Sequence, residues 1–311
     1  MSGCGECTSS RIDWIMVMRR YSGLIVTLIF FFMASFSLMA ASITTKNVKI
    51  GNSTLYYNEA GTGDRDILFV HGLFASKEQW NGMMVYFANK GYHCYAIDLP
   101  GYGQSIGYPL SAYAFKQEAD YLNEFIIKEK IKRVNLAASS MGAGVISLYA
   151  HKHISTVQSI AYIGGAVGVS DKSDAFKLYA ETGVNPFIPV TQQEFETELS
   201  LLFYHPPQLE SAQIQAIVKN YQDNLAHYQA IYQIFAYQNQ HYYEKFNGNF
   251  SVPVLVVWGS EDKILLPPTL SEIKMRVPRC QVVMLQNCGH LPMIESMDET
   301  CMYYYNFLTK A

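Results

Sequence analysis

The stretch that most constrains what this chain can fold into is Val134 to Gly144, read Val-Asn-Leu-Ala-Ala-Ser-Ser-Met-Gly-Ala-Gly. An apolar β-type run ends abruptly in small residues, and a helix-compatible segment from Val145 to His151 follows. That is the layout of a strand, a tight turn and a helix with a serine at the tip. Around Ser140 the pattern Ala-Ser-Ser-Met-Gly departs by one residue from the G-x-S-x-G nucleophile elbow. The physics explains the small residues: a serine on a strained turn lifts its hydroxyl out of the sheet, and the residues two before and two after must let strand and helix pass closely. Gly142 keeps the second small position, and Ala138 adds one methyl group at the first. Ser139 is out of register as the tip, because Met141 then falls where the small residue is needed.

The chain has 311 residues, half of them hydrophobic, which is ample for one or two packed domains. A net charge of −3 and the lack of a basic block exclude a nucleic-acid partner on charge grounds. The N-terminus has a different character. Arg19 and Arg20 precede the apolar run from Leu24 to Ala34, and Ala40-Ala41-Ser42 closes the region. A positive stretch, an apolar stretch and a small-residue end make a secretory signal. Leu38 and Met39 spoil cuts after Ala40 and Ala41, whereas a cut after Ser42 places Ala40 at −3. The run through Ala41 also approaches the ~18–20 residues that span a bilayer. Residues 1–42 are therefore read as a signal peptide or an uncleaved N-terminal membrane anchor, with membrane association through residues 24–41. Either way the body is expected outside the cytoplasm, exported or anchored. The leader before Arg19 is long and carries Glu6 and Asp13, so Met16 and Met18 are alternative starts. Cys4-x-x-Cys7 lies in that leader without strand or helix context, too weak a pattern to be read as a metal or redox site.

Along the body, Val48–Ile50 and Thr54–Tyr57 flank Gly51-Asn52-Ser53 as a β-hairpin. Buried-type strands follow at Ile67–Val70, Cys94–Ile97, Val134–Ala138, Ser159–Ile163, Val254–Trp258 and Gln281–Leu285. Helices are expected over Lys77–Asn89, Ser111–Lys130, Leu270–Arg276 and Ser296–Leu308. Strands alternating with helices predict an α/β fold with a mostly parallel central sheet covered on both faces. From 166 to 249 the texture is helical only, with apolar residues at three- and four-residue spacing. No internal repeat or low-complexity segment is visible.

A serine on such a turn needs a base, and the base needs an orienting acid. Parallel α/β sheets carry functional residues at the carboxyl ends of their strands. Strand ends after Ser140 give Asp262 and then His290. Three strand ends with three suitable residue types are a stronger signal than any one of them. Among the other candidates, Glu261 reads as loop charge, Asp98 as a turn-fixing residue and His71 as the residue that orders its loop. His151 and His153 end a helix, where imidazole suits the carbonyl end, and no metal ligand set accompanies them. Cys94, Cys280, Cys288 and Cys301 allow three pairings. Cys280 and Cys288 stand about 26 Å apart at the ends of one strand, which disfavours that pair. Buried unpaired thiols fit the sequence as well as Cys288 with Cys301 does.

The chain resembles the α/β-hydrolase fold family on several motifs over nearly all of residues 46–311. Beside the elbow, Val70-His71-Gly72-Leu73-Phe74 looks like the family's HG-x oxyanion loop. Asp98-Leu99-Pro100-Gly101-Tyr102-Gly103-Gln104-Ser105 looks like its D-x-P-G-x-G-x-S turn. Trp258-Gly259-Ser260-Glu261-Asp262 looks like its acid turn, and Gly289-His290-Leu291-Pro292 like its histidine loop. The order Ser, Asp, His is the family's chain order. The hydrophobic N-terminus and Ser-Met elbow are most similar to membrane-associated monoacylglycerol lipases and related bacterial esterases. The resemblance implies an α/β-hydrolase core over 43–165 and 250–311 with a helical cap over 166–249. It implies a serine hydrolase that cleaves carboxylic esters through an acyl-enzyme, with Ser140 as nucleophile, His290 as base and Asp262 as acid. The backbone N–H groups of Leu73 and Met141 form the oxyanion hole, and no cofactor or metal is needed.

The same triad serves C–C bond hydrolases of the meta-cleavage type and cofactor-free perhydrolases, and a non-catalytic binding protein on this fold is the rival of another class. The first takes carboxylate-bearing substrates that usually meet arginine, and residues 166–249 contain no arginine. This insert holds fourteen Phe and Tyr, and four lysines against nine carboxylates. Such an interior suits a small-molecule ester with a neutral short- to medium-length acyl chain, monoacylglycerols included, at ~0.8 kcal/mol per buried methylene.

Overall fold

The computed structural model describes residues 41–165, 173–243 and 246–310. Its centre is one eight-stranded sheet in the order β1-β2-β4-β3-β5-β6-β7-β8. The strands are β1 (Thr44–Ile50), β2 (Ser53–Ala60), β3 (Arg65–Val70), β4 (Tyr92–Ile97), β5 (Val134–Ala138), β6 (Val157–Ile163), β7 (Val254–Gly259) and β8 (Cys280–Leu285). β1 and β2 form the expected hairpin, and β2 joins β4 antiparallel. All pairings from β4 through β3 to β8 are parallel. Pairing carries β1 back to Thr44, beyond its apolar residues, because backbone hydrogen bonds to β2 need no buried side chain.

The apolar runs of β5 and β7 are buried at every position, as strands covered on both faces must be. Alternation along β3 sorts side chains to the two faces. Leu68 and Val70 join Leu122 and Phe125 of α2 (Phe115–Lys128) and Ile146 and Tyr149 of α3 (Met141–His153). Ile67 and Phe69 join Met83 and Phe87 of α1 (Asn81–Ala88) on the opposite face. That opposite layer is completed by Tyr304 and Phe307 of α10 (Met297–Leu308), which follows the short α9 (Pro292–Glu295) and the preceding α8 (Leu270–Arg276).

Two helices expected as continuous are broken at their starts. Lys77–Trp80 is a 3-10 turn ahead of α1. Leu110–Tyr113 is another, separated from α2 by Ala114 in an extended conformation. The second break has a local cause: the Tyr113 hydroxyl donates to the carbonyl of Tyr108, which folds the chain back before α2 begins.

Between β6 and β7 the structure has α4 (Asp174–Thr182), α5 (Gln192–Leu202), α6 (Ser211–Asp223) and α7 (Leu225–Tyr243). Thr191 caps α5 by accepting the Glu194 N–H, and Glu210 and Gln213 form a capping box at α6. The insert touches loops that follow parallel strands. His227 Nε2 lies 2.7 Å from the carbonyl oxygen of Gly101, after β4, and Leu202 accepts from the His290 N–H, after β8. No helix among the described residues is long and apolar enough to cross a membrane. Residues 24–40 of the apolar N-terminal segment lie outside the described residues.

Candidate active site

The register of the parallel strands brings their carboxyl ends into line. Val70 pairs with Ala138, Ala138 with Tyr162, Ile163 with Val257 and Gly259 with Leu285. The loops that leave these ends therefore meet over one edge of the sheet. They carry His71–Phe74, Ser139–Ser140, Gly164–Gly165, Ser260–Asp262 and Gln286–His290.

Ser140 sits between β5 and α3 with φ 48° and ψ −122°, a conformation that a side chain makes costly. The turn is held by its backbone, with Ser139 N–H donating to Val70 O at 3.1 Å and Ser140 N–H to Gly164 O at 3.0 Å. A Cβ on Gly142 would stand 2.5 Å from His71 O, which explains the small residue two positions after the tip. Ala138 is accommodated as a buried β5 residue in the core. Ser139 is fully buried with its hydroxyl unpartnered, whereas Ser140 is only partly buried. This difference assigns the accessible hydroxyl to Ser140.

Asp262 and His290 are brought together, both almost fully buried, with His290 Nδ1 2.9 Å from Asp262 Oδ2. The other carboxylate oxygen accepts the N–H groups of Ile264 and Leu265, each at 2.8 Å. Asp262 thus has a fixed orientation, and an Nδ1–H aimed at it leaves Nε2 as the basic nitrogen of the ring. Gly164–Gly165 separates this pair from the serine. A Cβ on Gly164 would lie 2.1 Å from His290 O, and one on Gly165 would lie 2.7 Å from Ser140 N. Sequence reasoning missed these two glycines, although their position after a buried strand was a readable signal.

The β3 loop lies beside the elbow, since a Cβ on Gly72 would stand 3.1 Å from Ser140 Cβ. His71 orders this loop. Its Nε2 accepts the Leu99 N–H at 3.1 Å, so Nδ1–H donates to Gly72 O at 2.8 Å. Burial pushes its pKa down to about 4, which keeps the ring neutral and both nitrogens committed. Tyr102 packs edge-on against His71 and donates its hydroxyl to Met141 Sδ at 3.2 Å. Met141 is the first residue of α3, where a backbone N–H has no acceptor within the helix. Leu73 follows Gly72 and is partly buried.

The remaining candidates are occupied elsewhere. Asp98 is buried and fixes its turn, accepting from Lys77 N, Lys77 Nζ and Gln104 N at 2.8 Å each. Lys77 itself is buried, a partner the sequence did not disclose. Glu261 is exposed and accepts from Ser260 Oγ. His151 packs tilted against Phe250, and His153 stacks on Tyr149. Among the described residues no group of His, Cys, Asp and Glu is arranged to hold a metal ion. Cys94, Cys280, Cys288 and Cys301 are unpaired, so the pairing of Cys288 with Cys301 is not made.

In the insert, Phe195, Phe203, Tyr221 and Phe246 are buried in the core, whereas Tyr179, Tyr204 and Tyr237 are exposed.

Three known proteins are similar to this chain over most of its length. Lipase 1 of Psychrobacter immobilis is 26% identical over 263 residues, covering 83% of this chain and 81% of its own. Monoacylglycerol lipase ABHD6 of Homo sapiens is 25% identical over 255 residues, covering 79% and 75%. The crystal structure of a membrane phospholipase A, described as a novel bacterial virulence factor, superposes with a TM-score of 0.77 at 29% identity, covering 86% of each chain. The alpha/beta hydrolase fold family matches residues 67–296, the span that runs from β3 through the elbow, the acid turn and the histidine loop, and the chain belongs to that family.

Proposed function

We propose that the protein is a serine hydrolase that cleaves neutral carboxylic esters of short to medium chain length, monoacylglycerols among them, through an acyl-enzyme. The observation that carries this reading is the Asp262–His290 pair, set across Gly164–Gly165 from a serine held at positive φ. Ester hydrolysis is also the activity named for the lipase relatives.

In this reading Ser140 Oγ attacks the acyl carbonyl as His290 Nε2 takes its proton. The Asp262 carboxylate holds the imidazole in the required tautomer and stabilises the imidazolium that forms. The N–H groups of Met141 and Leu73 receive the oxyanion. His290 then protonates the departing alcohol. Water, deprotonated by the same nitrogen, releases the acid and restores the serine. The helical insert acts as the cap that covers the acyl chain. A C–C bond hydrolase usually meets its substrate's carboxylate with arginine, and the insert contains none.

The body is proposed to lie outside the cytoplasm, on the strength of Arg19, Arg20 and the apolar residues 24–41. An alkaline-phosphatase fusion after residue 45 should be active, and an inactive one removes the export reading. The deciding experiment for the activity is labelling with a fluorophosphonate followed by peptide mapping. Modification at Ser140 supports the reading, and no labelling, or labelling at Ser139, defeats it.

A further inference from the structure

The helical insert and the histidine loop are stitched together by one carboxylate. Glu295 ends α9, five residues after His290. Its Oε2 accepts the N–H of Gly289 at 2.6 Å and of Tyr204 at 3.2 Å, and its Oε1 accepts the N–H of His205 at 2.5 Å. Gly289 immediately precedes His290, while Tyr204 and His205 continue the chain that leaves α5. The two segments lie flush: His290 N–H donates to Leu202 O at 2.8 Å, and a Cβ on Gly289 would stand 2.6 Å from that oxygen. The same end of α5 reaches the acid turn, where Lys263 Nζ donates to Ser200 O at 3.0 Å.

A loop has no ladder to hold its backbone, so three N–H groups converging on one carboxylate are a strong local constraint. Hydrogen bonds to an ionised acceptor are about twice as strong as neutral ones. Asp262 fixes the far side of the imidazole, but where Nε2 points also depends on where the His290 backbone sits.

We propose that Glu295 is a positioning residue for His290. It seats the exit of α5 on the histidine loop and so holds the ring in line with Ser140. This rests on the role given above to His290. The insert is then part of the catalytic frame along Leu202–His205, and any opening of the cap takes place elsewhere.

The prediction separates chemistry from binding. A displaced base slows proton transfer, and a shift of ~1 Å costs on the order of 10²-fold in rate. The acyl pocket is not altered, so KM holds. The test uses the full chain, a neutral p-nitrophenyl ester and a fluorophosphonate, with Glu295→Ala, Glu295→Gln, His290→Ala and the unaltered protein side by side. Gln keeps the size and one acceptor oxygen but turns an NH2 group toward the N–H groups on the other side. Expected is a kcat reduced ~100-fold in Glu295→Ala and ~10-fold in Glu295→Gln, with KM within about twofold and the labelling rate falling by the same factor as kcat. Glu295→Gln is expected to melt close to the unaltered protein, so it decides the matter if the alanine variant fails to fold. An unchanged kcat in folded Glu295→Gln, or a loss carried by KM at an unchanged labelling rate, overturns the proposal. Full turnover in His290→Ala would overturn the reading of the site itself, and this proposal with it.

Discussion

The ring of Phe74 meets the ring of Tyr228 edge-on, with 5.0 Å between centroids. Phe74 follows Leu73 in the β3 loop and has φ 55°, a left-handed backbone that a phenylalanine rarely adopts. Tyr228 belongs to α7 of the insert, and its hydroxyl accepts from Asn220 Nδ2 at 2.7 Å. A strained residue persists only where its surroundings hold it, and here a ring from the insert holds the backbone beside the proposed oxyanion donor. An edge-on aromatic pair contributes ~0.5–1.5 kcal/mol beyond its burial. Tyr228→Ala should therefore lower kcat roughly tenfold with little change in KM, because a relaxed loop loses transition-state contacts first. Tyr228→Phe keeps the ring and should stay within about threefold. Steady-state kinetics on one neutral ester compares the two, and equal activity in all three proteins would show the contact to be inert.

Ser140→Ala, His290→Ala and Asp262→Asn should each lose at least ~10³-fold in kcat while their circular dichroism stays unchanged, because the three act as a unit. Ser139→Ala should keep most activity, since that hydroxyl is buried without a partner. Turnover and labelling of the four variants check this, and a dead Ser139→Ala beside a live Ser140→Ala would shift the elbow by one residue.

Glu198 of α5 is buried, and burial raises its pKa to about 8, with a hydrogen bond from Tyr221 pulling the other way. A carboxyl whose folded pKa is raised binds a proton that the unfolded chain has already released. Its contribution to stability is complete below the unfolded value near 4.5, declines as pH rises and is gone above about 8. Within that window the slope approaches ~1.4 kcal/mol per pH unit. Glu118 of α2 acts with the same sign, being fully buried with both oxygens unpartnered, so the unaltered protein alone would not isolate Glu198. The difference in unfolding free energy between it and Glu198→Gln does. Glu198→Gln should gain relative stability steadily from pH 5 to pH 8, and a difference that stays flat across this range would place the proton elsewhere.

Neutral esters of two to sixteen acyl carbons should show kcat/KM rising with chain length and then falling, as a finite apolar pocket requires at ~0.8 kcal/mol per buried methylene. A flat profile, or a clear preference for a carboxylate-bearing substrate, would sink the preference for neutral short- to medium-chain esters and revive the C–C hydrolase.

What could be read in advance follows the range of the interactions involved. The strand ends carrying Ser140 and Asp262 were legible because the buried runs of β5 and β7 stop at Ser139 and Gly259, and the His290 loop because β8 ends at Leu285 before the polar pair Gln286-Asn287. The break at Ala114 was less so, since the Tyr113–Tyr108 hydrogen bond depends on a side-chain direction that helical spacing does not report. Lys77 read only as the first residue of a helix, and the fold alone supplies the buried Asp98 that neutralises it. Glu295 was invisible for the same reason: two of the N–H groups it collects lie 91 and 90 residues away along the chain.

β1 runs antiparallel to β2, which runs antiparallel to β4, so β1 points the same way as the parallel strands, and the residues just ahead of it lie toward their amino end. Thr44 pairs with Glu59, and the Ala41 N–H donates to the Asn89 side chain just before β4 begins. The loops bearing Ser140 and His290 leave the opposite edge, roughly 16–20 Å away over strands of five and six residues. The chain is thus gripped by its base. A resin, a fusion partner or a bilayer that holds residues ahead of Ala41 leaves the loops bearing Ser140 and His290 on the edge facing away from it, toward esters that arrive from solution. Immobilising the protein through that end should preserve its turnover on soluble substrates.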